Sequence, residues 1–343
     1  MAMIENLSEL LALLMFAGAF AVLLTGFPVA LALMGTAVGF AALGTALDAF
    51  SWRLMSSVGG RLVDLMTNET LVAVPLFIFM GVVLERSRIA EELLVTMGQA
   101  FGKLRGGLGI SVILVGAILA ASTGIVGATV VTMGLISLPA MIRAGYDRRL
   151  ATGVICASGT MAQLIPPSTV LILLGITLQN ANIQANLQMG VFGGSALSIT
   201  DLFAAAFVPG IMLVALYASW IMLTAWRRPE ACPAIAVSEA ERRNLWRRAL
   251  VAIVPPLALI VLVLGSIITG TATATESSAV GALGACVIAA LRGRFRRGLV
   301  LDVARSTFFI STMIFAILIG ATVFALVFRG LGGDHVVARF VTN

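Results

Sequence analysis

Charged residues are scarce in this sequence, which argues against functions that depend on clusters of charged side chains. Only 11% of the 343 residues are charged, whereas 60% are hydrophobic, and the mean hydropathy is +1.07. The single histidine and the three cysteines show no metal-ligand or redox spacing, and no paired carboxylates occur. We therefore expect neither an enzyme nor a soluble domain, because catalytic clusters and a polar surface are both missing.

The net charge of +6 is concentrated in short arginine-rich loops between apolar runs. That distribution follows the positive-inside rule and argues against a nucleic-acid-binding surface. One such loop, 227–248, is predicted to be cytoplasmic because of six arginines: Arg227, Arg228, Arg242, Arg243, Arg247 and Arg248. The first ten residues carry no basic segment, so the first apolar run is expected to stay as a transmembrane helix.

Long apolar runs predict an all-α, polytopic membrane protein. The expected continuous spans are 7–24, 28–47, 70–84, 201–226, 249–268, 271–291 and 303–328. Two further stretches, 48–69 and 89–104, have apolar residues at helical spacing and predict amphipathic helices. These are either ordinary connecting helices or arms that brace a moving part of the protein.

A charge-free run between Arg105 and Arg143 is interrupted midway by a polar segment, Ser122 to Gly127. Each arm beside it holds 15 residues, or about 22 Å of helix, against a hydrocarbon core of about 30 Å. Because arginine flanks both outer ends, both ends are expected on the cytoplasmic side. The pattern predicts a re-entrant hairpin over 107–142, whose tip is covered by protein or lines a watery cavity. Two short full spans are the alternative.

A second apolar run, 150–178, is broken by a polar segment that ends at Pro166 and Pro167. Two successive prolines remove two backbone donors and stop a helix, and they suit the start of a new half-helix. We therefore expect a discontinuous membrane helix here. The following stretch, 179–200, has no Lys or Arg and is expected to be an outward-facing loop.

An internal similarity suggests two repeats. A Thr-Gly pair precedes an apolar run at 25–26 and again at 269–270, and the two pairs of spans cross in opposite directions, which indicates an inverted repeat. We expect a first repeat over 1–248 and a second over 249–343. By this logic a second hairpin would begin at about residue 350. The expectation is that the C-terminal part of the second repeat is missing, and with it half of the site.

The two polar breaks supply groups that suit an anion and a sodium ion. A helix that begins near Gly127 would offer unpaired N–H groups and about half a positive elementary charge to a carboxylate. Exposed carbonyls and hydroxyls would suit Na⁺, the expected coupling ion. The candidate substrate-binding residues are Ser122, Thr123, Gly127, Ala128, Pro167 and Ser168. The candidate sodium-binding residues are Ser122, Gly124, Ser158, Thr160 and Gln163. For each hydroxyl the alternative is a bond to a carbonyl of its own helix.

Glu276 is an acidic residue near the start of the predicted span 271–291, and two roles are open for it. It is either an intramembrane functional acid or a helix N-terminal residue that the helix dipole favours. Its Thr-x-Thr-x-Thr-Glu context favours the second interpretation.

At these residues the chain resembles the large membrane subunit (DctM-like) of tripartite ATP-independent periplasmic, or TRAP, transporters. The matching motifs are Thr25-Gly26-Phe27-Pro28-Val29-Ala30, the hairpin tip up to Gly127, Ala144-Gly145-Tyr146, Ile165-Pro166-Pro167-Ser168 and Thr273-Ala274-Thr275-Glu276. The last motif has Ala274 where the family usually has proline. The resemblance covers nearly the whole chain, and the stretch 179–200 looks like the mannitol/chloroaromatic or 2-oxo acid branch.

This resemblance implies an elevator-type secondary active transporter of a bacterial inner membrane, which couples Na⁺ symport to uptake of an organic acid such as a dicarboxylate. Its implied partners are a small membrane subunit, a soluble periplasmic binding protein and the lipid bilayer. The family normally continues into a second hairpin. Two other hypotheses remain open: a related ion-coupled carboxylate elevator transporter that needs no binding protein, and a membrane scaffold component that does not transport.

Overall fold

The computed structural model is built from helices joined by short connections. It describes residues 2–87, 89–123, 126–191, 197–235 and 245–342. The α-helices are α1 (Ala2–Leu24), α2 (Val29–Ala46), α3 (Val58–Met66), α4 (Ala73–Arg86), α5 (Ile89–Phe101), α6 (Gly107–Thr123), α7 (Val126–Arg143), α8 (Arg148–Thr160), α9 (Thr169–Gln188), α10 (Ile199–Arg227), α11 (Leu245–Ile268), α12 (Ala274–Leu291), α13 (Arg297–Gly330) and α14 (Gly333–Thr342). Short 3₁₀ helices cover Trp52–Ser57, Glu69–Val72, Met161–Gln163 and Pro229–Ala231. Within the described ranges no strand occurs, which agrees with the all-α prediction.

Seven of the described helices are long and apolar enough to cross a membrane. They are α1, α2, α9, α10, α11, α12 and α13. The prediction of a polytopic membrane protein is therefore confirmed. The expected span 70–84 is not among these seven helices, because α4 covers only the 14 residues Ala73–Arg86. The hairpin arms α6 and α7 contain shorter apolar helices, Gly107–Ala120 and Thr129–Arg143.

Contacts divide the chain into two compact units, residues 1–68 with 308–343, and residues 69–307. In the first unit, buried residues of α1, α2 and α13 form an apolar core that includes Met15, Ala37 and Val327. This division reflects packing, whereas the predicted division at residue 248 concerns internal symmetry. The two-repeat organisation therefore stays a prediction.

In the second unit α4 and α12 pack side by side. At their amino ends, the Thr275 hydroxyl donates to the carbonyl of Glu69 at 3.0 Å. Beyond their carboxyl ends, Glu92 of α5 pairs with Arg292 and Arg294. The two helices consequently run in the same direction, as the predicted sidedness of their flanking loops requires.

The amphipathic stretch 89–104 lies against protein. Its apolar residues Ile89, Leu93 and Met97 are buried, and α5 packs against α6 and α11. The helix ends at Phe101, three residues before the predicted end. This stretch therefore connects α4 to the hairpin and packs against the first hairpin arm.

The expected loop 179–200 is helical over its first ten residues, because α9 continues to Gln188. No Gly or Pro interrupts the chain there, and the Asn186 amide donates to the Asn182 side chain one turn earlier, at 3.1 Å. The absence of basic residues indicates which side of the membrane a segment faces, but it gives no information about where a helix ends. The prediction of a loop was wrong for this half of the stretch.

The two Thr-Gly pairs form the same kind of turn. Gly26 has a φ of +85° and Gly270 a φ of +69°. Each glycine N–H donates to the carbonyl three residues earlier, at 3.1 Å and 3.0 Å respectively. A left-handed glycine after the last helical turn is a common helix ending. The shared geometry supports the proposed repeat, whose inverted orientation stays a prediction.

Candidate functional site

The two outer ends of the hairpin meet at one short segment of the chain. Gly106, just before α6, donates its backbone N–H to the carbonyl of Cys232 at 3.0 Å, and Asp147, after α7, donates to the carbonyl of Ala231 at 2.9 Å. Two adjacent residues therefore hold both ends. Their segment follows directly on α10, which ends at Arg227. The hairpin base consequently lies beside the arginine-rich loop assigned to the cytoplasm.

The turn Ala144-Gly145-Tyr146 contributes a further hydrogen bond between the two ends of the hairpin. Gly145 has a φ of +82°, in the left-handed region that glycine adopts most easily. Tyr146 is buried, and its hydroxyl accepts the backbone N–H of Gly109 in α6 at 3.4 Å. Burial raises the pKa of Tyr146 to about 12, because the phenolate loses more hydration than the phenol. The motif thus joins the turn after α7 to the first turn of α6.

The far end of α8 lies between the two arms of the hairpin. A Cβ atom on Gly116 of α6 would lie 2.6 Å from the Cβ atom of Ser158. A Cβ atom on Gly159 would lie 2.4 Å from Cγ2 and 2.9 Å from Cα of Val130 in α7. Side chains do not pack at such distances, so both crossings depend on glycine. Small residues allow this close approach of membrane helices.

The two predicted polar breaks are therefore close together. Val130 lies about one turn from the amino end of α7, and Gly159 is the second-last residue of α8. The 3₁₀ turn Met161–Gln163 follows at once and contacts both α6 and α7. The carboxyl end of one broken helix thus lies against the beginning of the second hairpin arm.

The hydroxyls of the α8 break form local bonds. Ser158 donates to the carbonyl of Ile155 at 3.0 Å, and Thr160 donates to that of Ala157 at 2.8 Å. These are the bonds within the same helix that were the alternative for these residues. A hydroxyl that donates one bond keeps lone pairs on its oxygen. The oxygens of Ser158 and Thr160 therefore retain the capacity to bind a cation.

Pro166 and Pro167 lie before α9 rather than at its start, and the bond between them is cis. Ser168 caps the helix, because its buried hydroxyl oxygen accepts the N–H of Leu171 at 3.4 Å. The same hydroxyl donates to the carbonyl of Gln163 at 2.9 Å. The break in the helix agrees with the prediction, whereas the placement of the prolines at the helix start was wrong. A serine side chain satisfies a helix N–H, which a proline side chain cannot do.

The gap between the hairpin arms is shorter than predicted. The backbones of Ser122 and Thr123 belong to the last turn of α6, and Gly127 belongs to the first turn of α7. Connections as short as two residues suffice between antiparallel helices. Gly124 lies outside the described residues, as do the side chains of Ser122, Thr123 and Ala128. Their predicted roles in binding stay predictions.

No described residue crowds Gly127 in the first turn of α7. A Cβ atom on Gly127 would have no atom of the described residues within 4 Å. The first N–H groups of a helix have no partner in the helix, and they carry about half a positive elementary charge. With respect to the described residues, this end of α7 therefore combines open space at Gly127 with the electrostatics that an anionic group needs.

A contact between Glu85 and Thr132 had no counterpart in the sequence interpretation. The Thr132 hydroxyl of α7 donates to Oε1 of Glu85 at 2.7 Å. Glu85 lies in the last turn of α4, directly after the predicted span 70–84. The signal that points to it is an acidic residue joined directly to an apolar run and predicted on the same side as the hairpin base. This bond ties α4 to the second hairpin arm.

Glu276 has a structural role at the start of α12. Its carboxylate accepts the backbone N–H of Thr273 at 2.8 Å, and its own N–H donates to the Thr273 hydroxyl at 3.2 Å. This reciprocal arrangement is a capping box. The helix N-terminal interpretation is confirmed. Ala274 occupies the first helical position, where proline is also well accommodated.

The chain matches one protein family over most of its length. The family is described as "Tripartite ATP-independent periplasmic transporter, DctM component", and the match covers residues 16–343. It includes the hairpin, the broken helix and the spans on both sides.

Three characterised relatives show the extent of the similarity. The C4-dicarboxylate TRAP transporter large permease protein DctM of Rhodobacter capsulatus is 29% identical over 274 residues, which is 79% of this chain and 59% of the relative. The ectoine/5-hydroxyectoine large permease of Ruegeria pomeroyi is 32% identical over 74% of this chain and 54% of its own length. The 2,3-diketo-L-gulonate large permease of Escherichia coli is 28% identical over 71% and 51%. The matched part is thus about half to three fifths of each relative.

Proposed function

Because the chain belongs to the DctM component family of tripartite ATP-independent periplasmic transporters, we propose that it contributes the membrane site for Na⁺-coupled uptake of an organic acid. The family consists of transporter permeases and not of enzymes. Together with the seven spanning helices, membership makes this a multi-pass protein of the inner membrane.

The observation that carries the proposal is the convergence of α7 and α8. Ser158 lies so close to α6 that residue 116 must be glycine. Residue 159 must be glycine because it lies directly against Val130 of α7. Two interrupted helices thereby bring their ends together, and such discontinuous helices form the binding sites of many secondary transporters. A packed pair of this kind can move as one piece, which is what an elevator mechanism needs.

An organic acid fits the amino end of α7. Its carboxylate would accept the unpaired N–H groups of the first turn and would benefit from the partial positive charge there. The space beside Gly127 admits such a group. The names of two relatives specify a C4-dicarboxylate and 2,3-diketo-L-gulonate, both of which are organic acids. We extend the general class to this chain and leave its branch within the family as a prediction.

Sodium fits the oxygen atoms at the α8 break. Within the described residues no group of three or more His, Cys, Asp or Glu side chains is placed to hold a metal ion. Coordination would therefore use neutral oxygens, which unwound segments of transporters offer to Na⁺. Ser158, Thr160 and the carbonyls near Gln163 are the proposed donors. The tip residues Ser122 and Gly124 would complete the set.

The proposed transport cycle needs two partners. A soluble periplasmic binding protein would deliver the organic acid, and a small membrane subunit would stand beside the large subunit. The hairpin and α8 would move together across the membrane, because their crossing leaves no room for sliding. Na⁺ bound at the break would couple this movement to its gradient.

Uptake into proteoliposomes tests the proposal. The large subunit is reconstituted with the small subunit, and a radiolabelled C4-dicarboxylate is supplied with the binding protein outside. We expect accumulation only with an inward Na⁺ gradient and the binding protein. Accumulation that is independent of the gradient would refute the coupling. Accumulation without the binding protein would favour the simpler elevator transporter, and a lack of all uptake would favour the scaffold hypothesis.

The sodium donors are tested by a matched pair of serines. Ser158→Ala removes a hydroxyl at the break, and Ser219→Ala removes one on the exposed face of α10 that makes the same kind of local bond, to Ala215 at 2.7 Å. We expect Ser158→Ala alone to raise the Na⁺ concentration for half-maximal uptake. Equal Na⁺ dependence in both variants would contradict the proposed donor role.

A further inference from the structure

A basic pocket lies between α8 and α10 at the cytoplasmic end of the hairpin. Its volume is about 590 Å³, and its lining includes Arg149, Arg227 and Arg228. The ion pairs found among the described residues involve none of these three arginines. The one acidic residue in the lining is Asp147, whose Oδ1 accepts the N–H groups of Arg149 and Leu150 at the start of α8. The pocket thus holds an excess of positive charge.

An apolar groove continues from this pocket along the same two helices. Its volume is about 680 Å³, and its lining includes Gly153, Ala157 and Leu216. Gly153 faces open space, because a Cβ atom there would meet nothing within 4 Å. From Arg149 to Ala157 the groove follows α8 for about 12 Å, close to the roughly 15 Å hydrocarbon depth of one leaflet.

The pocket and the groove form one continuous surface. They share four lining residues: Arg149, Leu150, Trp220 and Leu223. Trp220 is exposed at the junction between the basic and the apolar part, which is where tryptophan is enriched at membrane interfaces. The surface therefore has a charged end at the cytoplasmic side and an apolar end towards the membrane interior.

We propose that this surface binds an anionic phospholipid of the cytoplasmic leaflet. The phosphate of the headgroup would lie among Arg149, Arg227 and Arg228, and one acyl chain would follow the groove between α8 and α10. Basic pockets between membrane helices on the cytoplasmic side are suited to anionic headgroups. The apolar continuation distinguishes a lipid from a free phosphate ion, which would use only the charged end.

A second basic cavity on the same side of the protein has more acidic residues in its lining. Its charged lining residues are Arg247, Arg248, Arg292, Arg294, Glu91 and Glu92, and Glu92 pairs with Arg292 and Arg294. Two of its four arginines are therefore already paired within the protein, and its two carboxylates would repel an anionic headgroup. The two consecutive arginine pairs, at the end of α10 and the start of α11, form a matched comparison within one loop.

Native mass spectrometry of the purified chain with phosphatidylglycerol tests the headgroup contacts. Arg227→Gln with Arg228→Gln should weaken binding by about 25-fold, since each arginine at an anionic lipid surface contributes about a factor of five. Arg247→Gln with Arg248→Gln should leave it within about two-fold. Equal losses in both double variants, or equal retention of phosphatidylcholine, would overturn the proposal.

The acyl groove is tested separately. Gly153→Leu places a side chain in the groove and should lower phosphatidylglycerol retention, whereas Gly265→Leu, at another open glycine on α11, should not. Displacement of the lipid by millimolar inorganic phosphate, with Gly153→Leu having no effect, would show a free-anion site instead and would overturn the proposal.

A fluorescence measurement tests the site while its arginines and glycines stay unchanged, so it does not depend on whether the variants above fold. Brominated phosphatidylglycerol should quench tryptophan fluorescence, and Trp220→Phe should remove more of that quenching than Trp52→Phe does. Both tryptophans are about half exposed or more, at 62% and 50%. Equal loss of quenching in the two variants would contradict a lipid at this groove.

Discussion

The two ends of α8 are attached to the hairpin by different kinds of interaction. At the end assigned to the cytoplasm, Asp147, which caps α8, and Gly106, just before the hairpin, both donate backbone hydrogen bonds to the segment after α10, which joins them. At the other end, Gly116 and Gly159 allow the helices to approach until no side chain fits between them.

This difference follows the local environment. Near water, chain ends have unpaired backbone groups, and a partner segment can satisfy them. Within an apolar interior the helices have already used their backbone groups, so close packing of small residues holds them together. The first attachment is made by backbone groups, one of them on the left-handed Gly106, whereas the second depends on the absence of side chains between two packed helices. The predictions below test that distinction.

Gly159→Ala should have the largest effect. The added Cβ atom would lie 2.4 Å from Cγ2 and 2.9 Å from Cα of Val130, and a backbone atom cannot move aside as a side chain end can. We expect a loss of about 3 kcal/mol in the free energy of unfolding and loss of uptake. Thermal unfolding in detergent measures the first quantity. Gly153→Ala on the same helix, which faces open space, should instead be neutral or stabilising by up to about 1 kcal/mol, and equal destabilisation of the two would contradict the account.

Gly116→Ala should destabilise the protein by about 1–3 kcal/mol, because its Cβ atom would lie 2.6 Å from that of Ser158. The second change Ser158→Gly removes the opposing atom, so the double variant should recover most of the loss apart from the roughly 1 kcal/mol that a helical glycine costs. A double-mutant cycle measures this coupling. Additive losses would show that the two residues do not meet.

Asp147→Ala should have a smaller effect. Its carboxylate accepts two backbone N–H groups at the start of α8, at 2.8 and 3.1 Å, and loss of such a cap costs about 1 kcal/mol. Asp147→Ser, which retains a cap acceptor, should recover most of it. Chemical denaturation followed by circular dichroism distinguishes the three proteins, and an unchanged midpoint for the alanine variant would argue against the cap.

Tyr146→Phe should have the smallest effect at neutral pH and a distinct one in alkali. Burial raises the pKa of Tyr146 in the folded protein to about 12, from an ordinary value of 10.0, so the unfolded chain loses this proton first. Wild-type stability is therefore retained below pH 10 and falls relative to the phenylalanine variant between pH 10 and 12. Stability curves that remain parallel over this interval would contradict the burial of the hydroxyl.

The sequence was sufficient for the features that depend on local pattern. Length and apolarity predicted six of the seven expected continuous spans correctly, and the polar interruptions predicted both breaks. The Thr-x-Thr-x-Thr-Glu context identified Glu276 as a helix N-terminal residue, because a capping box involves residues only three apart.

Features that depend on distant residues were not predictable in this way. The bond between Glu85 and Thr132 joins positions 47 residues apart, and although Glu85 stands out beside an apolar run, nothing in its segment identifies Thr132 as its partner. The close crossing of Gly116 with Ser158 likewise appears only when α6 and α8 are packed. The end of α9 at Gln188 was missed for another reason, since the pattern of basic residues reports sidedness and not helix length.

The depth of the hairpin tip tests the central claim most directly. A spin label at Gly127, with gadolinium-labelled lipid headgroups in a bilayer, gives the distance of the tip from each membrane surface. A re-entrant hairpin places the label about 15 Å inside the hydrocarbon boundary on either side, half of the roughly 30 Å core. A label within about 5 Å of the outer boundary would instead show that α6 and α7 cross the whole bilayer as two full spans, and would contradict the account.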